Sequence, residues 1–334
     1  MSLIRPLGIL MRTALGVLLI GLLLLLVGCA TPPQTAALLA LRPAGLPERV
    51  ELTNVPFFPQ VAYQCGPAAL ATVLVHAGVL TTPEQLTPQV YLPERKGSLQ
   101  AELLGATRRY GMVAYQVMPT LEAVLREVEA GDPVLVLQNL RLKSLPQWHY
   151  AVVVGYDLAS ARLVLRSGDM ERLELPLAQF ERSWADGERW AVVVLPPERP
   201  PATATEAAYL AAVTALERIS PTAAQRAYQT ALTRWPNSLV AYIGLGNSAY
   251  AQKDLNGAER AYRQAIAAHP DAGDAWNNLG QVLADQGRRA DALAAVRRAI
   301  ELGGPHLEQY RRTLSQITSH AAPRLQSPFG PGVP

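Results

Sequence analysis

One thiol and one imidazole stand out among the residues of this chain that could do chemistry. The 334 residues include two cysteines, Cys29 and Cys65, and five histidines, His76, His149, His269, His306 and His320. Cys65 lies in Gln64-Cys65-Gly66-Pro67-Ala68, where a loop turns into an apolar, helix-compatible stretch. Proline suits the first helical turn, because that position needs no backbone donor. A helix start presents free N–H groups and a partial positive charge, and both favour the thiolate, the nucleophilic form of cysteine. Position alone fits a buried structural cysteine equally well.

A nucleophile needs a base. His76 stands on the same helix as Cys65, about 16 Å further along by helical rise, and cannot reach it. His269, His306 and His320 lie in or beyond a helical repeat region described below. His149 remains, at the start of the apolar run His149-Tyr150-Ala151-Val152-Val153-Val154-Gly155-Tyr156. A nucleophile on a helix start and a base on a strand start form a workable pair for covalent acyl transfer.

The N-terminus says where such a thiol would work. Arg5 and Arg12 precede an apolar run from Thr13 to Val27 that ends in Leu26-Val27-Gly28-Cys29. This pattern predicts a secretory signal over residues 1–28. Leu-Val-Gly-Cys resembles the lipobox of bacterial lipoproteins, which implies that Cys29 becomes the lipidated first residue of the mature chain. Ala30 stands where lipoproteins kept in an inner membrane often have Asp, so the expectation is an outer-membrane anchor facing the periplasm. An uncleaved membrane-spanning helix is the other reading. Residues 29–47, with Pro32, Pro33, Pro43 and Pro47, read as a flexible tether. With Cys29 lipidated, Cys65 has no intramolecular partner in an oxidising compartment, where a lone thiol is either buried or kept for its chemistry.

The elements that must hold the pair follow from periodicity and stop signals. Ala68–Ala77, Ser98–Tyr110 and Thr120–Ala130 read as helices, with Gly111 and Gly131 as stops. Pro133–Leu137, Tyr150–Tyr156, Arg162–Leu165, Arg172–Leu175 and Trp190–Leu195 read as strands. Helices first and strands later predict an α+β domain over residues 48–197 with an antiparallel sheet. Pro196, Pro197, Pro200 and Pro201 mark its end.

Gln60, Gln64-Cys65-Gly66-Pro67-Ala68 and His149-Tyr150-Ala151-Val152-Val153-Val154-Gly155-Tyr156 together resemble the C39-like cysteine peptidases, which have a papain-like fold. The likeness covers about 150 residues. It implies that Cys65 attacks a peptide carbonyl while His149 shuttles the proton. It also implies an oxyanion donor from a glutamine shortly before the nucleophile, which points to Gln60, with Gln64 as the rival. The family's third residue is usually an aspartate in an Asp-Pro pair, and here that position falls on Ser167. Asp157 is roughly 26 Å from His149 along an extended strand and is set aside. If residues 157–161 turn a hairpin, residues 168–170 lie opposite His149. Asp169 is therefore the candidate to orient the imidazole, and Ser167 the alternative.

Residues 205–318 carry a 34-residue period. Tyr242, Leu245, Gly246, Ala258, Tyr262, Ala265 and Pro270 recur as Trp276, Leu279, Gly280, Ala292, Val296, Ala299 and Gly304, and, degenerately, as Ala208, Ala211, Ala212, Ala224, Tyr228, Ala231 and Pro236. The period and pattern resemble the tetratricopeptide repeat, an all-α solenoid of antiparallel helix pairs. About three repeats are expected, with a capping helix over Leu307–Ile317 and a disordered tail over residues 319–334.

The net charge is +3 with 17 % charged residues, and no basic stripe with interleaved aromatics marks a nucleic-acid binder. The expectation is a membrane-anchored cysteine peptidase without metal or cofactor. Its partners would be a peptide or protein substrate and a protein bound by the repeats. A thiol acyltransferase or amidase using the same pair, and an inactive lipoprotein scaffold, are the other readings.

Overall fold

A computed structural model describes residues 31–60 and 64–319. The signal segment, Cys29 and almost all of the C-terminal tail lie outside the described residues. The first described element is a helix, α1 (Pro33–Ala40), with two prolines at its start. It is followed by β1 (Arg49–Glu51), α2 (Cys65–His76), α3 (Pro83–Val90), α4 (Gln100–Arg109), β2 (Val113–Gln116) and α5 (Leu121–Glu129). Then come β3 (Val134–Asn139), β4 (Trp148–Asp157), β5 (Arg162–Ser167), β6 (Met170–Pro176), α6 (Leu177–Asp186) and β7 (Ala191–Leu195). The predicted helices and strands of this region all form. The expectation missed α1, α3, α6, β1 and β2.

Every strand pairing is antiparallel, in the order β2-β7-β3-β4-β5-β6, with β1 paired to the end of β4. The run Val134–Asn139 is buried on both faces. One face packs against α2, with Leu70, Val73 and Leu74 against Leu135, Tyr150, Val152 and Val154. The other packs Val136, Ala151 and Val153 against Val124, Val128, Phe180 and Trp184. Helices therefore cover both sides of the sheet, and the strands read as apolar runs for that reason.

The tether over residues 29–47 needs correction within its described part. Thr35 donates from its N–H and its hydroxyl to the Glu181 carboxylate on α6, and Gln34 accepts from Leu121 N–H at 2.7 Å. Leu38 is buried in the core. Helix α1 is thus docked between α5 and α6. The prolines, alanines and two leucines of this stretch do not by themselves announce a docked helix, because the partners that fix it, Glu181 and Leu121, are distant in the chain.

The helices from α7 (Glu206–Glu217) to α12 (Arg289–Leu302) form pairs: α7 with α8 (Pro221–Arg234), α9 (Leu239–Ala251) with α10 (Leu255–Ala268), and α11 (Gly273–Asp285) with α12. A last helix, α13 (Leu307–Thr318), packs on α12. Glycines on these helices make room for side chains of the neighbouring helix, mostly aromatic ones. A Cβ on Gly246 would lie 2.4 Å from the Tyr262 ring, and one on Gly244 would lie 2.1 Å from the Tyr228 ring. The 34-residue offset recurs in hydrogen bonding: Tyr242 donates to Pro236 O at 3.0 Å, and Trp276 Nε1 donates to Pro270 O at 3.0 Å.

The boundary between the two regions is continuous in packing. Tyr115, Val136 and Val193 of the sheet share one apolar core with Tyr209, Leu216 and Tyr228 of the first repeat. The connecting segment is held by Glu127, which is fully buried and accepts from Ala202 N, Thr203 N and the Thr203 hydroxyl. Tyr115 donates to Thr203 O, and Arg199 pairs with Asp132. Burial raises the Asp132 carboxyl to about 6 even with Arg199 beside it. The proline-rich stretch from Pro196 to Pro201 is therefore a clamped joint between the two regions.

Candidate active site

Cys65 is the first residue of α2. Gly66 lets the helix start press against the wall formed by residues 93–100, because a Cβ there would lie 2.2 Å from Ser98 Oγ. Pro67 occupies the first turn, where its missing N–H costs nothing. Cys65 is a free cysteine, half-buried at the edge of the core beneath α2.

His149 opens β4, whose residues 148–153 pair with β3. On the other side, β5 covers β4 only from Val152 onward. The start of β4 therefore runs beyond its β5 neighbour, and a cleft forms there. Gln60, Cys65, Ser98, Trp148, His149, Tyr150 and Gly168 line this cleft of about 1070 Å³, together with Arg95, Arg141 and Glu188. The predicted nucleophile, base and glutamine thus meet in one depression. Gln64 sits at the helix N-cap without a capping hydrogen bond and is absent from the lining.

The Tyr150 backbone, left open where β5 ends, is reused by the site. Its carbonyl accepts from Gln60 Nε2 at 3.4 Å, a long contact. Its N–H faces the Cys65 sulfur and favours the thiolate, as do the N–H groups of Gly66 and Cys65 itself. Burial opposes them and wins, so the Cys65 thiol is pushed above its ordinary value. Burial acts on the imidazole in the same sense and lowers the His149 value. Both shifts favour a neutral thiol beside a neutral imidazole. Among the described residues, no hydrogen bond joins the two.

The imidazole is held from the other side. His149 Nε2 lies 2.9 Å from Ser167 Oγ, and Ser167 is buried at the end of β5. The placement of Asp169 as the orienting residue is corrected by this geometry. A register shift between Val153 and Gly155 and the end of β5 at Ser167 bring the chain into a turn, where Gly168 has φ +62°. Asp169 is exposed in that turn. Alternation places Ser167 on the same sheet face as His149, one step diagonal to it.

Sequence reasoning missed the Tyr150 backbone, Ser98 and the Arg166 side chain. Tyr150 Oη donates to Ser98 O at 3.2 Å, which ties the 93–100 wall to β4. Burial pushes the Tyr150 phenol up, so it stays a donor. Arg166 is buried and bridges the loop at Val55 and strand β6 at Glu171. Only the position of Tyr150, directly after the candidate base, was a signal in the sequence.

Residues 52–189 match the model of the Peptidase_C39 like family. Residues 209–259 and 243–305 match that of the tetratricopeptide repeat. A solved structure from Bacillus anthracis, assigned as a C39-like peptidase, is similar with a TM-score of 0.39 and 19 % identity, over 46 % of this chain and all of that one. The peroxisomal targeting signal receptor of Eremothecium gossypii is 40 % identical over 60 residues, which are 18 % of this chain. The chain spans about a tenth of that receptor's length. The chain thus carries a C39-like peptidase domain followed by tetratricopeptide repeats.

Proposed function

We propose that the chain is a thiol hydrolase acting on peptide bonds, with Cys65 as nucleophile and His149 as general base. The observation that carries this reading is the meeting of Cys65, His149 and Gln60 in one cleft, with the imidazole held on Ser167. With Nε2 on Ser167, Nδ1 is the nitrogen left to take the thiol proton. The thiolate attacks the carbonyl carbon, and the oxyanion is met by the free N–H of the Gln60 carboxamide and the helix-start N–H groups. His149 then returns the proton to the leaving amine, and water releases the acyl group by the same route. The test is turnover of a peptide library by the full chain and by Cys65→Ala and His149→Ala. Equal turnover by either variant would overturn the assignment.

A second reading has its own observation. Burial keeps both Cys65 and His149 toward their neutral forms, and a hydroxyl stands where a carboxylate would strengthen the base. This favours a weak enzyme, or a scaffold whose repeats hold a partner protein. The paired helices would offer a concave face to an extended peptide. Lipidation at Cys29 would place the whole at a membrane, facing the periplasm. Cys29→Ser should then give an unprocessed or soluble protein, and unchanged mass and membrane partition would refute the anchor.

A further inference from the structure

We propose that Arg166 is a positioning residue that sets the oxyanion donor, Gln60, against the thiol; the proposal rests on the reading of Cys65 as nucleophile. Arg166 is 7 % exposed on β5 and ion-pairs with no carboxylate among the described residues. A buried guanidinium without a counter-ion is costly unless its N–H groups are used. The two terminal nitrogens are used on backbone carbonyls, while the buried Nε–H has no hydrogen-bond partner among the described residues. Nη2 donates to Val55 O at 3.1 Å, and Nη1 donates to Glu171 O on β6.

Val55 begins the segment that runs through Gln60 to Cys65. Its side chain is buried beneath α2. Five residues on, Gln60 N donates to Gly168 O at 3.0 Å, in the turn between β5 and β6. The segment is therefore fastened to one hairpin at both ends, by the Arg166 side chain at Val55 and by the hairpin backbone at Gln60. The next residue of the hairpin, Ser167, holds His149. Successive strand residues point to opposite sheet faces. Arg166 thus faces the Val55–Gln60 segment, while Ser167 faces the imidazole. One dipeptide aligns the oxyanion arm and the base arm on a common frame.

The consequence separates two chemistries of the same thiol. Alkylation by iodoacetamide needs only the thiolate. Acylation by a peptide or a nitrophenyl ester also needs a donor on the oxyanion. Loss of one oxyanion donor lowers acyl transfer by about 10²–10³, and a misplaced one by up to roughly 10². Arg166→Gln should therefore lower the acylation rate by about 10–100-fold with KM little changed. Its iodoacetamide labelling rate should stay within about twofold of wild type.

The experiment is a double-mutant cycle on the full chain, with Gln60→Ala and Arg166→Gln singly and together. Release of nitrophenolate and labelling of Cys65 are both measured. Arg166→Lys, which keeps the charge and can reach one carbonyl, is included in case Arg166→Gln does not fold. The proposal expects the double variant to be no slower than Gln60→Ala alone. Additive losses, or equal losses of acylation and labelling in both Arg166 variants, would overturn it. No acyl-enzyme in the wild type, with Cys65 still labelled, would overturn the peptidase reading and this proposal with it.

Discussion

Replacing Glu127 by Ala tests whether the peptidase domain and the repeats are one folding unit. Glu127 is fully buried at the joint and accepts from Ala202 N at 3.1 Å, Thr203 N at 2.8 Å and the Thr203 hydroxyl. A hydrogen bond to a charged group contributes about 1.5–3 kcal/mol, and a buried donor left without a partner costs about 1–3 kcal/mol. Ala202 is exposed, so water can replace the carboxylate there. The two Thr203 donors have less access to water. Removing the carboxylate also removes its own desolvation cost, which offsets part of the loss. The balance is about 3 kcal/mol. For a domain of this size that lowers the midpoint of thermal unfolding by very roughly 6–12 °C. The assay is urea unfolding of the full chain, followed by far-UV circular dichroism and by tryptophan fluorescence. Three of the five tryptophans, Trp148, Trp184 and Trp190, are in the peptidase domain. The shared core requires the two signals to move together in the wild type, at one midpoint. It also requires a chain cut after Pro197 to expose the sheet residues that pack on Tyr209 and Leu216, and to fold poorly. A loss below about 1 kcal/mol, or two well-separated transitions with a stable cut domain, would refute the single-unit reasoning.

Ser167→Ala should lower peptide turnover by about tenfold by freeing the imidazole, whereas Ser167→Asp, which restores a carboxylate on Nε2, should raise the His149 pKa and the rate at neutral pH; equal pH–rate profiles for the three proteins would count against Ser167 as the orienting group. Burial raises the Cys65 thiol above its ordinary 9.0 and lowers the His149 imidazole below 6.5, so iodoacetamide labelling should climb beyond pH 9 with no plateau between pH 5 and 8, and a plateau there would reveal a resting thiolate–imidazolium pair. Gly246→Ala should destabilise the repeats by about 1–3 kcal/mol, because the new methyl meets the Tyr262 ring; an unchanged denaturant midpoint would contradict the packing described.

What the sequence carried depended on how local each cause was. The helix opening at Cys65 was legible because Gly66, Pro67 and the apolar run act within one turn. The repeats were legible because the small residue of each strong copy meets a large side chain sixteen positions on, as Gly246 meets Tyr262 and Gly280 meets Val296. Helix α3 carries a local signal, the capping pair of Thr82 and Gln85, both of whose hydrogen bonds are made. Helix α6 carried another, since Leu177, Phe180, Glu181 and Trp184 are its buried stripe. Helix α1 was not legible: its stability comes from Glu181 and Leu121, and nothing near Thr35 announces them.

The third member of the site shows the same limit at the scale of a single residue. Counting back through the hairpin from Asp157 and Arg162 leads to the neighbourhood of Asp169, and the count is sound while the ladder is regular. The ladder is broken twice, by the shift between Val153 and Gly155 and by the turn after Ser167. Each break changes which side chain faces the imidazole, because strand side chains alternate between faces. An acidic residue at the right count is therefore weaker evidence than a hydroxyl at the right face. The buried arginine beside that hydroxyl follows from the same break. Where β5 stops, the Val55–Gln60 segment has no strand to pair with along most of its length, and a long side chain with several donors is what can hold it.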